Sequence, residues 1–331
     1  SGSMGLPKFV RYSYENIQTN IIQVTESLNV KQLDRTITTM PLNYTYGLSI
    51  INSHLSNGAS IVLNNYSMVD KKFWNFLNKE NVSNFGGVPF MYEILNKIGF
   101  ENKIPKSLRY ITQAGGKLSN ELIKKFFNIS KKNNFQFIVM YGQTEATSRM
   151  SYLNPNFLEK KIGSIGKPVK NGKFLIEDSD GEIIKDENKV GQLIYEGKNV
   201  SMGYAFKRSD LINGDENRGK LFTGDLAKRD SENFYYIVGR IKRISKIFGV
   251  RLNLDDLEIL LQKWGYRCAC IGNDTLIDFF IEEKFDSEDM LNKISKNIGL
   301  HKSVIRLNKI NKIPRSSSGK ILYLELEQNA K

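Results

Sequence analysis

Residues 135–145 read FQFIVMYGQTE, and this stretch joins a strand-like run to a polar turn. Residues 135–140 are mostly aromatic or β-branched, which favours a buried β-strand. The turn that follows ends in Thr144 and Glu145, which offer a hydroxyl and a carboxylate. The stretch therefore predicts a strand that delivers polar groups at its carboxyl end.

The region from about residue 36 to residue 140 alternates between strand-like and helical runs. We predict strands at residues 37–40, 60–63, 110–113 and 135–140, and helices at residues 48–55, 71–78, 90–98 and 121–129. This alternation is typical of βαβ units in an α/β protein with a parallel sheet. Ligands of such sheets bind at the carboxyl ends of the strands, so we expect residues 141–145 at the binding edge.

The bulk composition indicates a protein with a substantial core. The chain has 331 residues, of which 40% are hydrophobic. This length is enough for two domains, and no apolar run approaches the length of a membrane span. Because the start of the chain also carries no evident secretory signal, we expect a soluble cytoplasmic protein.

The formal net charge is +13, which makes a basic nucleic-acid-binding protein one alternative. The lysines are spread along the chain, and we find neither zinc-finger spacing nor an aromatic RNA-binding signature. A basic composition also suits phosphate-rich ligands such as ATP and coenzyme A. We therefore expect no nucleic-acid partner.

Cysteine and histidine are scarce. Cys268 and Cys270 lie two apart in an apolar run, where a strand would place both on one face as buried thiols. His54 and His301 have no histidine or cysteine nearby in the sequence. This argues against a histidine-based triad and against a zinc site.

A mobile segment with a single lysine lies at residues 316–320, which read SSSGK. Small hydroxyl residues and a glycine leave this backbone flexible. Lys320 is then a movable point charge with three donors, suited to negative charge that develops on a phosphate. The alternative is a solvated basic tail.

Glycines also punctuate the first eight residues, SGSMGLPK. Their spacing lets backbone N–H groups approach a phosphate, while hydroxyls and Lys8 add donors. The stretch is not a Walker loop, because no Gly-Lys-Ser/Thr closes it. The alternative is that residues 1–3 are a cloning remnant.

Four stretches together resemble the adenylate-forming superfamily, which includes acyl-CoA synthetases, luciferases and the adenylation domains of peptide synthetases. They are residues 1–8, 141–145, 223–246 and 314–320. The family reads Tyr-Gly-x-Thr-Glu where this chain has residues 141–145, and the match is complete. The opening loop departs from the family at Met4, which replaces a hydroxyl residue, and at Phe9, which replaces a glycine. Members also carry a long segment before this loop, so the resemblance implies a fragment, one piece of a split enzyme, or a reduced fold.

The resemblance implies a large AMP-binding domain over residues 1–241, incomplete at its N-terminus, and a small mobile α+β domain over residues 242–331. The large domain would combine the parallel sheet with an antiparallel barrel subdomain, to which we assign residues 163–168, 191–197 and 203–204. The family's Gly-Arg-x-Lys pattern at residues 239–242 makes Lys242 the expected hinge.

Site residues follow from the same resemblance. The expected catalytic residues are Lys320, Thr144, Glu145 and Lys246. The expected nucleotide-binding residues are Ser1, Gly2, Ser3, Gly5, Lys8, Gly115, Gly116, Tyr141, Gly142, Asp225 and Arg240. Glu145 would hold Mg²⁺, Asp225 the ribose, and Lys246 would act in the second half-reaction.

The implied chemistry has two steps. A carboxylic acid and ATP give an acyl-adenylate and pyrophosphate, and a thiol of CoA or of a carrier protein's phosphopantetheine then takes the acyl group. Tyr44 would shape the acyl pocket. Thr45 stands where adenylation domains carry the aspartate that grips an α-amino group, so a fatty or aryl acid fits better than an amino acid. The alternative is a non-catalytic or partner-dependent nucleotide-binding fragment.

Overall fold

A computed structural model of the chain describes residues 9–316 and 319–329. The first part contains β1 (Phe9–Arg11), α1 (Tyr14–Leu28), β2 (Arg35–Ile37), α2 (Thr45–Leu55), β3 (Ser60–Val62), α3 (Lys71–Lys79), β4 (Asn84–Gly87), α4 (Pro89–Lys97), β5 (Tyr110–Gln113), α5 (Asn120–Lys132), β6 (Gln136–Tyr141), β7 (Ser151–Leu153), α6 (Pro155–Leu158) and β8 (Lys167–Pro168). The middle part contains β9 (Lys173–Glu177), β10 (Gly191–Glu196), β11 (Gly203–Ala205), β12 (Lys220–Arg229) and β13 (Tyr235–Arg240). The last part contains β14 (Ile244–Ile247), β15 (Val250–Asn253), α7 (Leu254–Lys263), β16 (Cys268–Gly272), β17 (Ile277–Ile281), α8 (Ser287–Ile298), β18 (Ile305–Lys309) and α9 (Tyr323–Asn329).

The parallel sheet predicted from the alternation is present. Seven strands lie in the order β3-β2-β4-β5-β6-β7-β8, and the first five are parallel. At one edge, β7 pairs antiparallel with β6 and β8 pairs antiparallel with β7. The α/β architecture is therefore confirmed.

Local sequence explains most of these elements. In α5 the Ser119 side chain accepts from the Leu122 N–H and caps the helix. Ile123, Phe126, Phe127 and Ser130 then recur at helical spacing and are buried. The aromatic face packs on the sheet, with Phe126 and Phe137 among the residues of the largest core cluster.

Two stretches differ from the prediction. The strand expected at residues 37–40 is Arg35–Ile37, because the chain leaves the ladder after Thr38 and turns at Pro41. Strand β4 has two glycines and no β-branched residue, so its pattern gave no strand signal. Gly86 is required there, since a Cβ would lie 2.7 Å from the Tyr46 hydroxyl.

The antiparallel part consists of β9, β10, β12 and β13, in the order β13-β12-β10-β9, and of the pair β1-β11. Residues 191–197 supply β10, and residues 203–204 lie in β11. Residues 163–168 do not supply the strand that was expected in this part. They end in β8, which pairs with β7 at the edge of the large sheet. Ile165 nevertheless packs in the core of the antiparallel part, and Ile165 and Gly166 share backbone hydrogen bonds with Tyr235 of β13.

The last part of the chain has a core of its own, formed by α7, α8 and the sheet β16-β17-β18. Cys268 and Cys270 are both free and buried in β16, as predicted. Within the described residues, no helix combines the length and apolarity needed to cross a membrane.

A buried polar network joins the turn after β13 to the C-terminal helix. The Arg243 guanidinium donates to Glu258 Oε1 at 2.6 Å and to Asp255 Oδ1 at 2.8 Å. It also lies 4.0 Å from the centre of the Tyr323 ring, whose hydroxyl donates to Glu258. The Cys270 N–H completes the set by donating to Glu258 Oε1 at 2.8 Å. One carboxylate therefore connects the turn Ile241–Arg243 with α7, β16 and α9.

Burial raises the pKa of Glu258 to about 7, against the opposing effect of the Arg243 charge. Because the folded pKa lies above the unfolded value, the folded state binds more protons between about pH 4.5 and about pH 7. We therefore expect this group's contribution to the free energy of unfolding to fall as pH rises through that window.

In Glu258→Gln the contribution should vanish and the dependence of stability on pH should flatten. Urea unfolding at about pH 5 and about pH 7 measures the difference, with the exposed Glu327→Gln as control. An unchanged slope in Glu258→Gln would contradict the assignment.

Candidate active site

The turn after β6 lies at the carboxyl edge of the parallel sheet. Strand β6 ends at Tyr141, and residues Thr144–Ala146 form one turn of 3-10 helix. Gly142 allows the two to connect, since a Cβ there would lie 1.7 Å from the Ser148 carbonyl oxygen. Residues 141–145 therefore lie where the sequence predicted, directly after a strand of the parallel sheet.

A buried carboxylate lies beside this turn. Asp225, on β12, is 1% exposed. Its Oδ2 accepts from the Tyr141 hydroxyl at 2.5 Å and from Gln143 Nε2 at 2.9 Å. Its Oδ1 accepts from Arg240 Nε at 2.6 Å, because β12 and β13 pair Asp225 directly opposite Arg240. Three predicted nucleotide-binding residues thus form one cluster.

The cluster fits a sugar hydroxyl. A carboxylate offers about four acceptor positions, and three of those on Asp225 are taken by the contacts above. One position on Oδ1 is open to a ribose hydroxyl. A second vicinal hydroxyl would have to replace the Tyr141 or Gln143 donor.

The protonation states around Asp225 follow from burial and charge. Burial, reinforced by the negative charge of Asp225, raises the pKa of Tyr141 well above its usual value. Tyr141 therefore stays a neutral donor. Burial acts to lower the pKa of Arg240, but the Asp225 carboxylate outweighs it and the pKa is raised. Arg240 stays a cation.

Thr144 and Glu145 are held by residues from several other elements. The Thr144 hydroxyl lies 3.2 Å from the Thr45 hydroxyl at the start of α2, and the Thr144 carbonyl accepts from the Tyr12 hydroxyl at 2.5 Å. Glu145 Oε1 accepts from the Tyr204 hydroxyl at 2.9 Å. The carboxylate is a hard oxygen donor of the kind that Mg²⁺ binds, and Mg²⁺ needs few protein ligands because it keeps its waters. The described parts of the chain contain no group of three or more His, Cys, Asp or Glu residues placed to hold a metal.

Lys320 reaches this site from the other end of the chain. A bridge pairs Arg315 with Ile321, and Gly319 takes a φ of +80°. The bridged pair lies against the start of α4, where the Arg315 guanidinium is 5.2 Å from the Phe90 ring centre. Lys320 Nζ then lies 5.4 Å from the centre of the Tyr44 ring.

The ammonium group of Lys320 is close to the charges of the Asp225 cluster. Although much of its surface is open to solvent, the surrounding protein and the Arg240 charge lower the pKa of Lys320, while Glu145 and Asp225 act in the opposite direction. Two cations therefore converge beside two carboxylates at the sheet edge. An anionic ligand placed between Lys320 and Arg240 would be attracted by both.

Gly115 and Gly116 follow β5. Gly115 has a φ of +84°, and a Cβ there would be 2.8 Å from the Tyr44 hydroxyl. The Gly116 carbonyl accepts from Gln113 Nε2 at 2.9 Å, and a Cβ at Gly116 would meet Pro89. Gly115 therefore lets the backbone pass close to Tyr44, and the nucleotide-binding role of the pair stays a prediction.

Lys246, the remaining predicted residue within the described ranges, makes its contacts away from this cluster. Lys246 is exposed on β14, paired across the strand with Arg251, and its N–H donates to Asp274. The predicted phosphate-binding residues Ser1, Gly2, Ser3, Gly5 and Lys8 lie outside the described residues.

Family comparison supports this geometry. A model of the AMP-binding enzyme family matches residues 1–205, more than half of the chain. The chain belongs to this family. The resemblance noted in the sequence is thereby confirmed.

Relatives of known function extend over nearly all of the chain. Oxalate–CoA ligase of Saccharomyces cerevisiae is 25% identical over 97% of this chain. The 2-succinylbenzoate–CoA ligase of Bacillus subtilis is 24% identical over 100% of this chain. The chain spans 60% of the yeast relative and 68% of the bacterial one. The structure of o-succinylbenzoate CoA synthetase from Bacillus subtilis with its acyl-adenylate intermediate aligns at a TM-score of 0.81 and 25% identity, covering 99% of this chain and 67% of that one.

Sequence reasoning missed four side chains of this region of the AMP-binding fold. Tyr12, Gln143 and Tyr204 are supporting donors whose contacts depend on tertiary structure. Arg149 follows the Tyr-Gly-Gln-Thr-Glu motif closely and is 2% exposed. The only available signal for it was a basic residue in a stretch of small and apolar residues.

The contact at Gly142 predicts a specific cost. In Gly142→Ala the new methyl would meet the Ser148 carbonyl oxygen, a rigid backbone atom, so the turn would have to shift. We expect a loss of about 3 kcal/mol in the free energy of unfolding, the upper end of the usual overpacking range. Gly214→Ala is the matched control, because a Cβ there meets nothing within 4 Å. Equal unfolding temperatures for the two variants would contradict this account.

Proposed function

We propose that the protein is an AMP-forming acid–thiol ligase, which activates a carboxylic acid with ATP and transfers the acyl group to a thiol. The observation that carries the proposal is the placement of Lys320. Lys320, which is far from the Tyr141–Glu145 turn in sequence, lies on the Tyr44 ring and within electrostatic range of Glu145, Asp225 and Arg240. The acid–CoA ligase activity of the two curated relatives supports the same chemistry.

In the first step a carboxylate oxygen attacks the α-phosphorus of ATP. A phosphorus–oxygen bond forms, the bond to the bridging oxygen breaks, and pyrophosphate leaves. Asp225 and Arg240 would hold the ribose, Tyr141 and the Gly115–Gly116 backbone would flank the adenine, and Thr144 would donate to the α-phosphate. Lys320 would bridge carboxylate and phosphate oxygens as charge develops, so orientation and charge neutralisation carry the step. When bound, Mg²⁺ would neutralise phosphate charge, with Glu145 as its protein ligand.

In the second step a thiol sulfur attacks the acyl carbon, AMP leaves, and the thiol gives up its proton. We propose that residues 242–331 act as a mobile domain that turns about Lys242, withdraws Lys320 and presents Lys246. The separation of Lys246 from the Asp225 cluster supports this division of labour. The acceptor is CoA or the phosphopantetheine of an acyl carrier protein, and the CoA ligases among the relatives favour CoA. Because ATP and CoA are intracellular substrates, the proposal includes a cytoplasmic location.

The acid is not an amino acid in this proposal. Thr45 contacts Thr144 and supplies no carboxylate for an α-ammonium group. The acids named for the two relatives, oxalate and 2-succinylbenzoate, differ greatly in size, so the acid has to be argued from this chain's own pocket.

Lys320→Ala tests the first step. We expect acid-dependent ATP–pyrophosphate exchange by the wild-type chain to fall by about a hundred- to a thousandfold, because one preorganised charge at the reacting oxygens is lost. Lys312→Ala removes an exposed lysine shortly before Arg315 and should leave exchange unchanged. Full exchange in Lys320→Ala would refute the role. Absence of exchange by the wild type over a broad panel of acids, with ATP still bound, would favour a non-catalytic nucleotide-binding protein.

Lys246→Ala separates the half-reactions. If Lys246 acts only after the domain turns, the variant should keep nearly wild-type ATP–pyrophosphate exchange and lose thioester formation. Single-turnover transfer from preformed acyl-adenylate to CoA measures the loss. Equal loss in both assays would argue against a role confined to the second step.

A further inference from the structure

Arg149 is a buried charge without a counter-charge. It is 2% exposed, and none of its three side-chain nitrogens has a hydrogen-bond partner among residues 9–316 and 319–329. No ion pair to Arg149 forms within those ranges either. Leaving a buried guanidinium unpaired is expensive, so the fold keeps this residue at a cost to stability.

The guanidinium keeps its charge at this position. Burial lowers the pKa of Arg149, but an arginine starts so far above neutrality that it stays protonated in proteins. The titratable neighbours that act on it are Tyr46, Tyr44 and Tyr110. Burial raises the pKa of each of these, to about 12 for Tyr44, so none supplies a negative charge.

The backbone holds Arg149 firmly. Thr147 and Ser148 both have positive φ, 52° and 102°, which is strained for residues with side chains. The Arg149 carbonyl accepts from Asn199 Nδ2 at 3.0 Å and from Asn20 Nδ2 at 3.3 Å. The chain is thus fixed so that the side chain enters the interior instead of solvent.

Arg149 and Lys320 contact the two rings of one aromatic pair, Tyr46 and Tyr44. Its guanidinium carbon is 4.4 Å from the Tyr46 ring centre, and the Tyr46 and Tyr44 rings meet edge to face at 6.2 Å. Lys320 Nζ lies 5.4 Å from the centre of the Tyr44 ring. Two cations therefore flank the same pair of rings, one at the reacting end and one deep in the fold.

We propose that Arg149 binds the second carboxylate of a dicarboxylic acid whose first carboxylate is activated at Lys320. This rests on the proposed function and names its substrate class. A guanidinium and a carboxylate pair through two parallel hydrogen bonds, which would satisfy donors that the protein leaves unmet. The second carboxylate stays ionised and takes no part in bond making. The half-buried Tyr44 ring has to move to admit the ligand.

Selectivity follows from the unpaired charge. A monocarboxylic acid of the same shape would leave Arg149 buried without a partner, whereas a dicarboxylic acid would neutralise it. Sites built around a buried polar group discriminate strongly against ligands that lack the matching group. Arg149 would therefore be a specificity-determining residue and not a catalytic one.

The test compares dicarboxylic acids, linear and aryl and of graded length, with their monomethyl esters in ATP–pyrophosphate exchange. We expect the wild type to prefer at least one dicarboxylic acid over its ester by about 30-fold or more in kcat/KM. In Arg149→Gln the preference should collapse through KM, while the rate with the ester is kept. Arg149→Lys retains the positive charge but lacks the paired, planar donors of a guanidinium, so it should keep part of the preference. Equal loss for acid and ester would show a structural role and overturn the proposal, as would a wild-type preference for the ester.

Thermal unfolding gives a second readout that needs no turnover. Removing an unpaired buried charge should leave Arg149→Gln folded and at least as stable as the wild type. At least one dicarboxylic acid of the series should raise the unfolding temperature of the wild type but not of Arg149→Gln. If no acid supports exchange, the proposed function fails, and this shift alone decides the binding site. The same shift in both proteins, or none in either, overturns it.

Discussion

The buried carboxylate of Asp225 is the constraint on which the site depends. It sits on β12, opposite Arg240 of β13, and accepts from Tyr141 and Gln143 of the turn after β6. An acid with so little exposure is tolerated only while its donors stay in place. The parallel sheet and the antiparallel sheet are therefore held in fixed relation at the point where a ligand would bind, and β13 leaves that point directly into the turn at residues 241–243.

The charges around Asp225 explain why a phosphate suits this edge of the sheet. Arg240 is bound to Asp225 on one side, and Lys320 approaches from the C-terminal part of the chain. The lowered pKa of Lys320 reflects its surroundings and the nearby guanidinium. Both disfavour the charged ammonium when no anion is bound, and this cost is the stress on the site. An anion between the two cations would relieve that stress. The arrangement therefore favours negative charge at the place where the proposed adenylation would develop it.

Sequence reasoning succeeded where local chemistry and burial agree. Strand β6 is a largely apolar run, β5 is rich in aromatic and β-branched residues, and α5 has a serine cap and helical periodicity. The motif at residues 141–145 had a complete family match. It failed where tertiary contacts override local preference. Strand β4 is rich in glycine because Tyr46 and Tyr92 press on it, and residues 163–168 join the large sheet through pairing that no local pattern encodes. Arg149 shows the same limit, since the burial of a single charged side chain is a property of the whole fold and not of its neighbours in sequence.

The network around Glu258 has a consequence for the order of events. Tyr323 follows Lys320 by three residues, and its hydroxyl donates to Glu258, which also accepts from Arg243. The Tyr323 ring lies against the guanidinium of Arg243, the neighbour of Lys242 in sequence. The lysine arm and the turn at residues 241–243 are thus fastened to one body. In the proposed mechanism, rotation of that body and retraction of Lys320 would therefore be a single event. Lys320 and the face of the small unit that carries Lys246 would then reach the reaction site in turn, which would separate the proposed half-reactions in time.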